Sequence, residues 1–348
     1  MKLVYRRALP GLCAAVLAAG VIGAGTPALA AGAAPTGTFT LNTTSLWSGQ
    51  TVTLTQTALD DDDIPPAEIS RKIRWGDGVE TTAVAGETSW KHQYNGSGSY
   101  DVVVELNDGT VPGTGTGTVP SPTVKVVDGP GTLGWQKNTV YTTSDGLGGT
   151  YLTEAVFTPS NLPLSADEAW TDWGDGELSL LKQDATSTTV PHYFGSGRFI
   201  PRVQLSNEYG QATPQDAQVL NVNIDDTPPS SGFTFPPSAG KGSSWKAFKG
   251  TGRDSQSGAD IAQVIAFKYN ASSDYYYNFT SKKWVKITNP AADLPDAAAA
   301  ITPVTSSGTW SVPASGLSKG YHLEVYYWVF DKVGNVSPMK IATAFISS

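Results

Sequence analysis

Ile73-Arg74-Trp75-Gly76-Asp77-Gly78 is echoed by Thr171-Asp172-Trp173-Gly174-Asp175-Gly176, and this duplication decides the fold. A histidine follows each copy, in His92-Gln93-Tyr94 and in His192-Tyr193-Phe194. A Gly-x-aromatic step comes next, Gly98-Ser99-Tyr100 and Gly197-Arg198-Phe199. The three landmarks recur at offsets of 98, 100 and 99 residues. A repeat of that length is a whole domain, since solenoid units run to only about 20–50 residues. Asp-Gly between apolar runs predicts a hairpin with a type I′ turn, in which both central residues take positive φ. Tyr100, Val102, Val104 and Leu106 then alternate with Asp101 and Glu105, the period of a half-buried strand. Phe199, Val203 and Leu205 continue that face in the second copy, where Pro201 requires an edge strand or a bulge. Both copies read as β.

Trp-Gly-Asp-Gly, then His-x-Tyr/Phe, then Gly-x-Tyr/Phe and an alternating strand resemble the PKD (polycystic kidney disease) repeat. The resemblance covers residues 36–128 and 129–226. It implies immunoglobulin-like β-sandwiches used outside cells as spacers or in protein and carbohydrate contacts. One departure is visible. The family usually has an aromatic two residues before the motif's Trp, where this chain has Ile73 and Thr171; the neighbouring Trp170 is a candidate substitute in the second copy. The conserved-looking side chains read as structural. Trp75 and Trp173 plug the sandwich cores, and Asp77 and Asp175 hydrogen-bond their own turns. His92 and His192 sit at equivalent places in separate domains, and with Tyr100 and Phe199 they complete the motif.

Asp225-Asp226-Thr227-Pro228-Pro229 marks the next boundary, because Pro-Pro donates no backbone hydrogen bond and makes a stiff linker. Residues 231–348 repeat the same grammar in a different sequence, with Trp245, Phe248, Asp254-x-x-Ser257-Gly258, Trp284, Trp310, Gly320-Tyr321 and Asp331-x-x-Gly334-Asn335-x-Ser337. They resemble the Ig-like or fibronectin-III-like modules at the ends of bacterial secreted proteins. The clearest strand runs from Tyr321 to Phe330, with Tyr321, Leu323, Val325, Tyr327 and Val329 on one face and His322, Glu324, Tyr326, Trp328 and Phe330 on the other. The expected fold class is thus all-β, three tandem immunoglobulin-like sandwiches after a cleaved signal peptide.

That signal peptide is residues 1–30. Lys2, Arg6 and Arg7 precede an apolar run, and Ala28-Leu29-Ala30 offers a signal-peptidase site, so cleavage is expected near Ala30 and the protein outside the cell. The run is short of the ~20 residues a spanning helix needs, so the mature chain is expected to have no membrane span. Without this segment 20 basic residues face 31 acidic ones, a net charge of −11, and the sole cysteine, Cys13, is gone. A disulfide-free secreted chain relies on hydrophobic cores, alone or with metal ions. An acidic chain without a Lys/Arg stripe is a poor nucleic-acid binder. The Gly-, Ala- and Thr-rich, Lys-poor composition resembles that of secreted actinobacterial proteins.

Catalytic parts are scarce, with three His in all. Gly316-Leu317-Ser318-Lys319-Gly320 matches a hydrolase nucleophile pattern, but that motif needs a strand before it and a helix after it, and here the best strand follows. Zinc spacings are absent. Asp60, Asp61, Asp62 and Asp63 form the densest acidic cluster, either a calcium-binding loop or a solvated one. Tyr276 opposes Tyr275 and Tyr277 along its strand, so not all can enter one core. Together with Trp284, Tyr326 and Trp328 it composes either an aromatic ligand platform or packing between sheets. The expected function is non-catalytic extracellular binding, adhesion or spacing, with a glycan, cell wall or surface protein as partner and oligomeric state open. The alternative is a secreted hydrolase acting on polysaccharide, with carboxylates such as Glu154, Glu168 or Glu177 as acid and base.

Overall fold

The computed structural model describes residues 32–109, 116–129, 131–181 and 189–348. The expected signal peptide, its expected cleavage site near Ala30 and Cys13 lie outside them. The described residues are all-β, with 27 strands and two single-turn 3-10 helices. None of their helices is long and apolar enough to cross a membrane. Contacts divide the chain into two compact units. One holds the described residues up to Thr44 with Thr53–His92 and Ser99–Val124; the other holds Ser45–Val52, Gln93–Gly98 and Lys125–Ser348.

In the first unit, Ser70–Arg74 pairs antiparallel with Gly98–Asn107 on one side and Glu80–Thr82 on the other. Gly98–Asn107 alternates as its sequence requires, with Val102, Val104 and Leu106 at 0% exposure and Asp101 outside. These valines and leucine share the buried set with Leu54, Ile69, Ile73, Trp75 and Val124. Phe39 and Trp90 are also buried, their rings 6.3 Å apart.

The second unit contains the second copy of the repeat. Glu168–Asp172 lies between the edge strand Leu178–Leu181 and Arg202–Asn207 in a five-stranded sheet. Thr153–Phe157 pairs with Val190–Phe194, and Gly197–Phe199 pairs with Leu220–Ile224. Trp135, Phe157, Trp173, Phe194, Val203, Leu205 and Leu220 make the core between them. Pro201 breaks the strand, as its missing N–H demands. Gly197–Phe199 on one side and Arg202–Asn207 on the other pair with different sheets, so the break is where the chain changes sheet. Trp170 does not substitute for the family's aromatic. It is 43% exposed, while the inward position is filled by Thr171 at 0%.

The hairpins also differ from the expected two-residue type I′ turn. Gly76 and Gly78 have φ of 89° and 92°, and Gly174 and Gly176 have 79° and 97°, but neither Asp is in the left-handed region. The loop is longer, closed by Trp75 N–H donating to the Val79 carbonyl and Trp173 N–H to the Glu177 carbonyl, both at 3.1 Å. Two glycines flanking the Asp therefore supply the positive φ that the Asp-Gly pair was expected to share.

The third sequence region builds two sheets. Ser230–Thr234, Ala247–Arg253 and Thr309–Pro313 form one. The other runs Lys283–Lys286, Ser273–Asn278, Ala259–Asn270, His322–Asp331, Lys340–Phe345, with Ala299–Pro303 pairing on Ala259–Asn270. Their facing sides bury Trp245, Phe248, Ala262, Val264, Ala266, Tyr277, Trp310, Val325, Tyr327 and Val329. Gly250 is required here, because a Cβ would come within 2.2 Å of both the Gly232 carbonyl and the Trp310 ring. Small residues at Ala262 and Ala266 leave room for the rings opposite, an interdigitation that native packing density demands.

Candidate functional site

The duplicated motif is a closed unit in both copies. The His92 ring stacks on Trp75 with centroids 4.8 Å apart and planes 12° apart; His192 stacks on Trp173 at 4.5 Å and 7°. His92 Nε2 meets Asp77 Oδ2 at 2.8 Å, and His192 Nε2 meets Asp175 Oδ2 at 2.7 Å. The other carboxylate oxygen accepts the backbone N–H of Val79 or Glu177, each at 3.0 Å. Trp75 Nε1 donates to Thr81 Oγ1 and Trp173 Nε1 to Ser179 Oγ. Each Asp thus ties its own turn to the stacked His, and each Trp is 0% exposed. These contacts tie each Asp, His and Trp into the turn of its own copy. Tyr100 and Phe199 lie half-buried on the strands that follow.

The carboxylates considered for acid–base chemistry are dispersed in use. Glu154 accepts the Tyr193 hydroxyl at 2.9 Å, and Glu168 accepts Trp170 Nε1 at 3.0 Å. Glu177 stands 4.0 Å from His192 and is 75% exposed. Ser318 lies in an irregular segment leading into His322–Asp331, so no strand–turn–helix elbow carries it.

The outer face of the six-stranded sheet is where the aromatic residues gather. Register places Tyr276 opposite Phe267, Phe267 opposite Glu324, Tyr326 opposite Ile265 and Trp328 opposite Gln263. All point away from the core, because their neighbours Ala262, Val264, Ala266, Leu323, Val325 and Tyr327 point into it. Phe267 and Tyr326 meet edge to face at 5.6 Å, and His322 stacks on Tyr269 at 5.3 Å. Glu324 sits at the centre, accepting the hydroxyls of Tyr269 at 3.1 Å and Tyr326 at 3.0 Å. The hydrogen bond to that carboxylate raises the Tyr269 hydroxyl above its usual pKa, whereas for Tyr326 burial is the larger cause and Glu324 the second. Ile341 and Phe345, both 51% exposed, extend the face along the neighbouring strand.

Trp284 does not belong to this face. It pairs opposite Tyr277, packs on the core and donates Nε1 to the Ser315 carbonyl at 2.8 Å. With Tyr275 and Tyr321 it surrounds Lys268, whose Nζ lies 5.0, 5.2 and 4.7 Å from the three ring centres. Burial pushes that ammonium below its usual range, and the rings and the Gly316 carbonyl at 3.1 Å compensate it. The structure therefore brings Tyr276, Tyr326 and Trp328 to one face and separates Trp284 from them.

A further exposed aromatic site went unread in the sequence. Trp170, Asp172, Leu178, Arg202, Gln204, Gln211 and Pro214 line a trough of about 550 Å³ on the second sandwich. Trp170 was legible only as a core residue, since an aromatic in a strand says nothing of which sheet face it takes.

Two acidic clusters could hold a cation. Asp61, Asp62 and Asp63 bring carboxylate oxygens within 4.8 Å of one another, while Asp60 ends the preceding strand outside this group. The cluster is largely exposed. Hydrogen bonds from the backbone N–H groups of Asp63 and Ile64 lower the Asp61 carboxyl, and the Asp63 carboxyl is raised, first by its hydrogen bond to Asp61. The second cluster, Asp225, Asp254 and Asp331, was not predicted. Its members come from three sequence steps separated by up to about a hundred residues, each of which reads locally as a turn.

No family model matches the chain, and no curated protein sequence matches it. Solved structures do overlap it at low similarity. The FN1–FN3 domains of chicken CNTN1 align over 91% of this chain and 99% of theirs, at 12% identity and a TM-score of 0.29. A structure concerned with host cell surface retention of a bacterial ice-binding adhesin aligns over 90% and 97%, at 14% identity and 0.27. A structure of promiscuous carbohydrate-binding modules from the β-sandwich superfamily aligns over 87% and 98%, at 14% identity and 0.25. Likenesses of this size assign neither family nor function. The class is defined by the sheets themselves, an all-β chain of immunoglobulin-like sandwich character.

Proposed function

We propose that this is a non-catalytic extracellular binding protein of PKD-like and Ig-like sandwich domains, spanning residues 36–128, 129–226 and 231–348, that holds a polysaccharide on its aromatic sheet faces. The observation that carries this reading is the outer face of the six-stranded sheet. Phe267, Tyr269, Tyr276, Tyr326, Trp328 and Phe330 remain half-exposed there while the opposite face of the same strands is fully packed. Flat rings stack on the C–H faces of sugars, and Glu324, Gln263 and His322 among them offer acceptors and donors for hydroxyls. The Trp170 trough, floored by an aromatic and edged by Asp172, Arg202 and Gln204, has the same chemistry. Two weak sites on one chain gain retention from effective concentration rather than from individual affinity.

The test is retention of residues 31–348 on insoluble chitin, cellulose, peptidoglycan and whole cells. Retention on one polysaccharide, competed by its soluble oligomer, is the expected result. A well-folded protein retained on none of the polysaccharides but captured by cells would assign the faces to a protein partner. Retention nowhere would leave a spacer.

A further inference from the structure

The linker after the second sandwich closes onto the third through three carboxylates. Asp225 directly follows the strand Leu220–Ile224, Asp254 follows Ala247–Arg253, and Asp331 ends His322–Asp331. One carboxylate oxygen of each lies within 4.8 Å of those of the other two. Asp225 is 0% and Asp331 3% exposed. Among the described residues none of the three forms an ion pair. Backbone N–H groups hold them in place: Ser257 on Asp225 Oδ2 at 2.9 Å, Gln256 and Gly258 on Asp254 Oδ1, and Val333 and Asn335 on Asp331 Oδ1. Asn335 Nδ2 bridges Asp331 Oδ2 and the Asp225 carbonyl, at 2.8 and 2.7 Å. These neutral donors orient the oxygens but bring no positive charge, and buried like charges need one.

A second, independent observation points the same way. Ser257 is 9% exposed, and its Oγ is buried with no hydrogen-bond partner. Its own N–H is fixed on Asp225 Oδ2, which places this residue beside the carboxylates. A buried hydroxyl without a partner is uncommon in folded proteins, and beside three carboxylates a bound cation accounts for it.

We infer that Asp225, Asp254 and Asp331, with Ser257 Oγ, form a binding site for one divalent cation of the calcium class, which pins the linker after the second sandwich to the third. All four donors are hard oxygens, and calcium takes about six to eight, the remainder supplied by water. No His or Cys is present among the donors to favour zinc. Lys332 brings a competing positive charge close to the loop, its Nζ 3.0 Å from where a Cβ at Gly258 would stand. The site does not depend on what the aromatic faces bind.

The experiment is calorimetric titration of calcium chloride into the EDTA-stripped full mature chain, with thermal unfolding and limited proteolysis run beside it. Expected are one binding event, a higher melting temperature with calcium, and slower cleavage between Asp225 and Ser230. Asp254→Asn, at the half-exposed corner of the site, should weaken binding by at least the roughly tenfold typical of even an outer-shell partner. The triple change Asp61→Asn, Asp62→Asn, Asp63→Asn and the single Lys332→Met should leave it in place. If Asp254→Asn fails to fold, the native chain still decides the matter, because no calcium-dependent melting shift up to about 10 mM overturns the inference. So does binding that survives Asp254→Asn and disappears in the triple variant.

Discussion

Trp75 directly follows a strand and Trp328 lies within one, and the molecule uses the two rings in opposite ways. Around Trp75, and again around Trp173, the ring is stacked by a histidine, its Nε1 donates to a hydroxyl, and its neighbour Asp locks the turn. Trp328 belongs to a sheet face whose aromatics are half-exposed and whose central polar group, Glu324, gathers tyrosine hydroxyls instead of backbone groups. The difference lies in which hydrogen bonds are closed. A ring with every polar neighbour satisfied by the fold is structural, and a ring beside acceptors open to solvent is available to a ligand.

The contrast can be broken most sharply at its closed end. Trp75→Ala and Trp173→Ala each should cost about 3–5 kcal/mol and unfold their own sandwich cooperatively, read by urea denaturation. Retained chemical-shift dispersion with an unchanged midpoint in either variant would remove the core assignment. Next, His192→Ala leaves Asp175 Oδ2 without its partner and exposes one face of Trp173. The expected loss is about 1.5–3 kcal/mol, the range for a hydrogen bond to a charged group, measured by the same titration.

At the open end the balance should reverse. Tyr326→Ala with Trp328→Ala should lower stability less than either core Trp deletion while abolishing polysaccharide retention. A large loss of stability with retention intact would show those rings to be packing, not platform. The smallest effect is a pH dependence. Tyr269 and Tyr326 have folded pKa values above the usual tyrosine value of 10.0. Their contribution is therefore complete below pH 10 and is lost as pH rises through the folded values. Tyrosinate absorbance should show Tyr269 and Tyr326 among the late-titrating groups, together with Tyr193 and Tyr327, and Glu324→Gln should bring Tyr269, and to a smaller extent Tyr326, back toward the ordinary range.

The sequence made the repeated motif readable because its parts are local and periodic. Trp-Gly-Asp-Gly, the following His and the Tyr100–Leu106 alternation each carry their own signal, and the structure joins them as the offsets implied. What failed were decisions about side and partner. Trp170 was offered as the substitute for the family's inward aromatic and lies outward; Trp284 was grouped with Tyr276 and faces the other way, since it pairs across the hairpin with Tyr277, whose side chain alternates with that of Tyr276. The turn at Asp77 uses flanking glycines, which the Asp-Gly pair alone did not reveal. Asp225, Asp254 and Asp331 were each visible as turn residues, but their meeting depends on sheet topology.

The most direct measurement is retention on polysaccharide of three matched proteins, the parent, Trp170→Ala and the Tyr326→Ala/Trp328→Ala double variant, each shown to melt as a folded protein. The account predicts weakened retention for Trp170→Ala and none for the double variant, with the soluble oligomer displacing the parent. Equal retention of all three would contradict the assignment of binding to the open aromatic faces.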